Sequence, residues 1–237
     1  MKAVILAGGR LDPDLAKETG LTWRSELPYQ NQTFLDIVIE AMPGEVAIVG
    51  GPRRDDHDWR EGGERFIQSF ARGIEAGGKG RFLMASADLP FLTKETIKTL
   101  LNQDDGVSTI QYPIVEMSRM NAAFPNMPRT KLKLKEGEFT GGNVFIVDGK
   151  GMETLLPIMQ QAYDARKNVL KLGKILGFPT LLALVRAKLI PGSVAIPELE
   201  AKVGRALKTK VRAIISESPE LAADVDTLEH FLWLKTL

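Results

Sequence analysis

With 237 residues, 31 basic against 30 acidic side chains and a net charge of +1, the chain can bury a sizeable core and shows no bias toward nucleic acid or an anionic membrane. Size scaling removes about 72% of the unfolded surface from water, and 22 glycines with 13 prolines stay short of a disordered composition. The absence of cysteine excludes a disulfide framework, a thiolate nucleophile, Cys-ligated zinc and iron–sulfur clusters. Two distant histidines, His57 and His230, argue against a histidine metal site or a Ser–His–Asp hydrolase. A metal here is expected to be hard and oxygen-bound, such as Mg²⁺.

A strand pattern begins at Lys2–Ala7 with no charged leader before it. The longest apolar stretch, Phe178 to Ile190, is interrupted by Arg186 and Lys188 and is too short to span a bilayer, so a cytoplasmic protein is expected. Short apolar runs then alternate with helical-period segments. Strands are expected at Ala3–Leu6, Val46–Val49, Phe82–Ala87 and Val107–Val115, with helices at Phe34–Met42, Phe66–Glu75 and Thr93 to about Asn102. This order implies a largely parallel sheet covered on both faces. Thr130–Lys135 alternates like a half-exposed strand, Glu136-Gly137 supplies a turn, and Val144–Val147 returns as a buried strand, together an antiparallel excursion appended to the sheet. Residues 150–208 read as three or four helices broken near Gly177 and Pro191-Gly192, followed by a strand at Val211–Ile215 and a helix at Thr227–Leu237. The expectation is a single α/β domain, residues 1–237, with a helical insertion at about 150–208. A homodimer is compatible with this pattern.

Five stretches carry possible chemistry. Leu6-Ala7-Gly8-Gly9 lies where an open α/β sheet binds ligands, beyond a strand's carboxyl end, and its glycines allow backbone N–H groups to approach phosphate. A plain strand-exit turn is the other reading. Asp88, at the end of the third strand, is either a turn acceptor or a Mg²⁺ ligand. In Asp224-Val225-Asp226-Thr227, one residue caps the last helix while a carboxylate can face a site, since i and i+2 point oppositely on an extended segment. Phe139-Thr140-Gly141-Gly142-Asn143 is either a β-bulge or a place of close substrate approach, with Asn143 offering a hydrogen bond. Arg166 to Lys171 reads as a solvated basic face or an anion contact, Phe178–Ile190 as a core-facing helix or a partner- or lipid-facing surface, and Lys131, Lys133 and Lys135 as a solvated strand face or a ligand site.

Leu6-Ala-Gly-Gly9, Asp88-Leu-Pro90 and Asp224-Val-Asp-Thr227, in this order, resemble the MobA-like NTP transferases, nucleotidyltransferases related to molybdenum cofactor guanylyltransferase. Tyr112-Pro-Ile-Val115, Phe139 to Asn143 and Ala165-Arg-Lys167 look like a branch of that family. The resemblance implies a nucleotide-diphospho-sugar transferase-like (Rossmann-like) fold, a mixed twisted α/β sheet. It also implies transfer of an NMP group from an NTP to a small, phosphorylated acceptor with Mg²⁺ and release of pyrophosphate. Leu6, Ala7, Gly8 and Gly9 would hold base and phosphates, Asp88 and Asp226 the metal, and Gly141, Gly142, Asn143 and Lys167 the acceptor. Gly62-Gly63 resembles a base-contacting loop. The family's Arg-Met-Gly-x-x-Lys segment is absent, and Arg24, before Leu27-Pro28, stands in the place of its Lys, with Arg10 as a second cation. Because Asp224-x-Asp226 also reads as an Asp-x-Asp metal motif, a nucleotide-sugar glycosyltransferase is the alternative enzyme, and a non-catalytic nucleotide-binding scaffold the alternative class.

Overall fold

The computed structural model describes residues 1–165, 168, 171, 174–175 and 177–236. In chain order it contains β1 (Lys2–Leu6), α1 (Pro13–Thr19), β2 (Pro28–Tyr29), β3 (Gln32–Thr33), α2 (Phe34–Ala41), β4 (Val46–Val49), β5 (Asp58–Arg60), α3 (Phe66–Gly77), β6 (Arg81–Ser86) and α4 (Lys94–Asn102). Then come β7 (Ile110–Glu116), α5 (Met117–Ala123), β8 (Leu132–Lys133), β9 (Glu138–Gly141), β10 (Val144–Asp148), α6 (Gly149–Ala165), α7 (Phe178–Leu189), α8 (Ile196–Leu207), β11 (Val211–Ser216) and α9 (Leu228–Leu234). One sheet runs β5-β4-β1-β6-β10-β7-β9-β8, with β11 on the other edge of β7. It is a mixed α/β sheet of the nucleotide-diphospho-sugar transferase-like kind, flanked by helices.

The strands β1 and β6 are apolar from Ala3 to Leu6 and from Phe82 to Ala85 because both their faces are covered there. Ala3 and Ile5 of β1, with Leu83 and Ala85 of β6, pack under α2 and α4, while Val4, Phe82 and Met84 pack under α3 and α6. Local chemistry sets the helix starts. The Thr33 hydroxyl accepts the Asp36 N–H at 3.2 Å while Asp36 accepts the Thr33 N–H, so α2 begins where its apolar stripe begins. Thr93 caps α4 in the expected way, accepting from the Thr96 N–H.

The antiparallel segment is where the structure departs from the expected sheet. It is not appended to the edge: β10 lies antiparallel between β6 and β7, with Val144 opposite Ala85 and Ile146 opposite both Leu83 and Gln111. The two strands β9 and β10 share one edge of β7, β9 against its second half and β10 against its first, so the chain changes partners at Gly142-Asn143. The fourth expected strand starts later, at Ile110, because Asp105 accepts the N–H groups of Val107 and Ser108 and folds that stretch into a turn. Only Leu132–Lys133 of the Thr130–Lys135 run is paired as strand.

The chain between β10 and β11 is helical wherever regular structure is described there, except for the short turns that join its helices. The core-facing expectation for Phe178–Ile190 holds for one side of α7 only: Ala183 and Ala187 are buried, whereas Leu182, Val185, Leu189 and Ile190 face outward. Among the described residues no helix is long and apolar enough to cross a membrane. Leu83 is fully buried in the layer under α2 and α4. Leu83→Ala is expected to cost about 2–5 kcal/mol of unfolding free energy by denaturant titration, the usual range for a truncated core leucine.

Candidate functional site

Pairing of β1 with β6 sets Leu6 opposite Ser86, and Ala87 donates to the Leu6 carbonyl at 3.2 Å. The Gly8-Gly9 loop and Asp88 therefore leave the sheet side by side. The segment after β11 returns to the same edge, where the Val225 N–H donates to the Asp88 carbonyl at 2.9 Å and brings Asp226 alongside. Arg24 joins them from a short 3₁₀ turn, held by its own N–H on the Gly9 carbonyl (2.9 Å) and its Nε on the Arg10 carbonyl (3.2 Å). Its Nη1 lies 3.0 Å from Asp88 Oδ2 and 4.0 Å from Asp226 Oδ2. Asp88 is only 7% exposed, so it is bonded to a cation that occupies the space between two carboxylates. Arg10 is placed beside this group with its guanidinium 4.8 Å above the Trp23 ring.

Backbone makes the opposite wall. A Cβ on Gly50 would lie 2.8 Å from Gly8 Cα, and one on Gly62 would lie 3.0 Å from Gly50 Cα. Three loops thus meet at a contact that only glycine permits, and Gly50, at φ +77°, also needs glycine for its conformation. The Gly63 N–H donates to the Ser69 hydroxyl, and Arg72 holds the Gly62 carbonyl at 2.5 Å. The backbone N–H groups of Gly8, Gly9 and Arg10 have no hydrogen-bond partner among the described residues. Successive free N–H groups of this kind form an anion-binding concavity.

Asp224 and Asp226 do point to different partners, but neither caps the helix. Thr227 does, accepting the His230 N–H. Asp224 is bound by Arg129 Nη1 and Asn143 Nδ2, both at 2.6 Å, and burial together with the charge of Asp88 raises its pKa. Asp226 Oδ1 lies 2.9 Å from His230 Nδ1, while His230 Nε2 lies 2.9 Å from the Pro128 carbonyl. The Nε2 contact is a hydrogen bond, whereas Nδ1 meets Asp226 as a close charge contact outside hydrogen-bond geometry. The close Asp226 carboxylate raises the His230 pKa above its ordinary 6.5, and the imidazole in turn lowers that of Asp226 below 3.8.

The expected glycines 141 and 142 serve packing. A Cβ on Gly141 would collide with the Tyr112 hydroxyl, and one on Gly142 would lie 2.9 Å from Pro113 Cγ. Asn143 gives one N–H of its amide to Asp224 and lines the cleft beside it. Lys167 lies outside the described residues. Sequence reasoning misses Arg129 and His230, and reads the Gly50-Gly51 turn only as a strand end. Gly50 carries a signal in its doubled glycine after a buried strand; Arg129 carries none.

The donor set fits a hard divalent cation. Asp88 Oδ1 is buried with no hydrogen-bond partner, and Asp226 lies across Arg24 from Asp88. Among the described residues no cluster of three or more acidic or histidine groups could hold a metal alone. Two carboxylates with the remaining positions left to waters and substrate phosphates is the usual Mg²⁺ arrangement.

No family model and no curated protein matches the chain. Solved structures do. The chain is similar to a hypothetical transferase from Thermus thermophilus, with 28% identity over 97% of this chain and 98% of the other and a TM-score of 0.82. It also resembles a nucleotidyl transferase from Methanothermobacter (17% identity, 100% and 98% covered, TM-score 0.55). A third is 2-C-methyl-D-erythritol 4-phosphate cytidylyltransferase, also from Thermus thermophilus (15%, 100% and 98%, TM-score 0.53). The latter two likenesses establish the fold.

The Asp226–His230 pair gives a pH signature. The raised His230 pKa contributes stability that is complete below about pH 6.5 and lost as pH rises through the folded value; the lowered Asp226 pKa contributes stability lost as pH falls through its folded value. The difference in Tm between wild type and His230→Gln is therefore expected to be largest between about pH 4 and pH 6.5 and to shrink in alkaline buffer.

Proposed function

We propose that the protein is a nucleotidyltransferase of the MobA-like kind, moving an NMP group from an NTP to a phosphorylated small acceptor. The observation that carries this is the convergence, at one sheet edge, of three unpartnered backbone N–H groups with the Asp88–Arg24–Asp226 cluster. An acceptor oxygen would form a bond to the α-phosphorus as the bond from that phosphorus to the β-phosphate oxygen breaks, and pyrophosphate would leave with the electron pair. An acceptor that is already an anion needs no general base. Mg²⁺, when bound, supplies charge neutralisation on the phosphates. Asp88 and Asp226 bind and orient it, the Gly8-Gly9 N–H groups hold phosphate oxygens, and Arg24, once released from Asp88, faces the charge that builds on the leaving pyrophosphate. A planar guanidinium in place of an ammonium keeps the charge and adds a second donor toward a phosphate.

The glycosyltransferase reading needs both carboxylates of Asp224-x-Asp226 at the metal, and Asp224 is engaged by Arg129 and Asn143. The products also separate the two: pyrophosphate for nucleotidyl transfer, a nucleoside diphosphate for glycosyl transfer. In a thermal-shift series with ATP, GTP, CTP and UTP, one nucleotide at 100 times its Kd is expected to stabilise by about 2.7 kcal/mol, a few degrees in Tm, only when Mg²⁺ is present. Asp88→Asn should abolish both that shift and pyrophosphate release while the circular dichroism spectrum is unchanged. Full activity in this variant would sink the metal assignment, and nucleotide binding without turnover that Arg24→Lys does not restore would favour the scaffold reading.

A further inference from the structure

The cleft that opens at Asp226 does not end at the polar cluster. It continues between α8 and the sheet to a volume of about 1320 Å³, beyond the roughly 300–1,000 Å³ that small-molecule pockets occupy. Its two ends differ in chemistry. The first holds Arg129, Asn143, Asp224, Asp226 and His230. The long remainder is mostly apolar, with Leu199, Val203 and Leu207 of α8 facing Ile110, Phe145 and Val211 of the sheet, and Lys131, Glu200 and Arg212 at its margins. Those three α8 residues stand at i, i+4 and i+8, one stripe of the helix. They are only half-buried, whereas the equivalent layers under α2 and α3 are closed. A phosphorylated sugar would leave this wall uncovered.

The polar end has an unspent donor. Arg129 is 9% exposed and gives Nη1 to Asp224, but its Nε is buried and has no hydrogen-bond partner. A buried guanidinium N–H without an acceptor is costly, and an oxyanion bound against Arg129 from the cleft would offset its charge. Beside it the Tyr112 ring stacks on Phe145 (5.3 Å between centroids, 18° between planes). That stack marks the change from polar to apolar wall, since Phe145 faces the α8 stripe and Tyr112 lies within electrostatic reach of Arg129 and Asp224.

We propose that this cleft takes an amphiphilic acceptor, its anionic head on Arg129 and its single hydrocarbon chain between α8 and the sheet. The inference rests on the nucleotidyl-transfer reading for the acceptor's role and names the acceptor's class; binding itself needs no nucleotide. The experiment is titration calorimetry of the full chain without NTP, using dodecyl phosphate below its micelle concentration, glycerol 3-phosphate, inorganic phosphate and dodecyl maltoside. Dodecyl phosphate is expected to bind about ten-fold or more tightly than either short phosphate and than the uncharged glycoside. Arg129→Gln should weaken dodecyl phosphate by about ten-fold. Val203→Trp, which fills the apolar arm without disturbing the Arg129–Asp224 pair, should bring dodecyl phosphate down to the affinity of glycerol 3-phosphate and leave inorganic phosphate unchanged; it decides the matter if Arg129→Gln fails to fold. Equal affinities for dodecyl phosphate and glycerol 3-phosphate, dodecyl maltoside binding as tightly as the phosphate, or a Val203→Trp variant that binds like wild type would each overturn the proposal. Failure of nucleotidyl transfer would show separately, as a missing Mg²⁺-dependent nucleotide shift with amphiphile binding intact.

Discussion

One guanidinium holds the carboxyl edge of this sheet together. Arg24 lies between Asp88, which leaves the sheet at β6, and Asp226, which returns to it after β11. Without a cation there, two carboxylates would face each other with one of them almost fully buried, an arrangement that raises the pKa of at least one and loosens both loops. The neighbouring charges obey the same constraint. Asp224 has Arg129 and Asp226 has His230, so three carboxylates are balanced by three cations when His230 is protonated. The edge is locally neutral without a ligand. Arg24 is the cation that has somewhere to go, since a third of its side chain is exposed whereas Arg129 is enclosed.

The change of strand partners at Gly142-Asn143 makes this balance possible. With β10 inserted antiparallel between β6 and β7, the β9–β10 corner is carried to the same sheet edge as the Asp88 loop, and Asn143 reaches Asp224. The corner has no room for side chains: Gly141 lies under the Tyr112 hydroxyl and Gly142 against Pro113 and the Leu221 carbonyl. The glycines therefore act at one remove. They let the sheet turn, and the turn delivers Asn143 to Asp224.

Much of the fold was legible because its central strands are buried on both faces and its main helices have clear starts. Ala3–Leu6, Val46–Val49 and the Thr93 cap are read directly from apolar runs and side-chain chemistry. What escaped was short or charged. The helix α1 buries a single residue, Leu15, and offers no period to detect. The strand β5 is Asp58-Trp59-Arg60, charged at both ends as an edge strand is to discourage pairing, and so reads as loop. The insertion of β10 was invisible because local pattern reports that a strand is buried but not which strands bury it. The candidate site divides the same way. Gly8-Gly9, Asp88 and Asp226 stand in recognisable order, whereas Arg129 and His230 acquire meaning only from contacts with a distant segment of the chain in one case and with a loop carbonyl in the other.

The glycine contact beyond β1 and the cleft under α8 are built from different materials, and this bears on how specificity can arise. The wall formed by Gly8, Gly50 and Gly62 is backbone against backbone, held at distances that no side chain tolerates. On the proposed reading, recognition there would run through N–H and C=O groups at fixed positions, insensitive to substitution so long as the glycines remain. The far wall consists of side chains on α8 and the sheet, where half-buried Leu199 and Val203 have neighbours on one side only. Exchanging one apolar residue for another there changes the length and width of the cleft at little cost to the closed layers beneath α2 and α3. On the proposed reading, a fold of this kind keeps its donor site constant and varies its acceptor by repacking one helix against one sheet face. The Arg129–Asp224 pair fixes the polar end of that cleft.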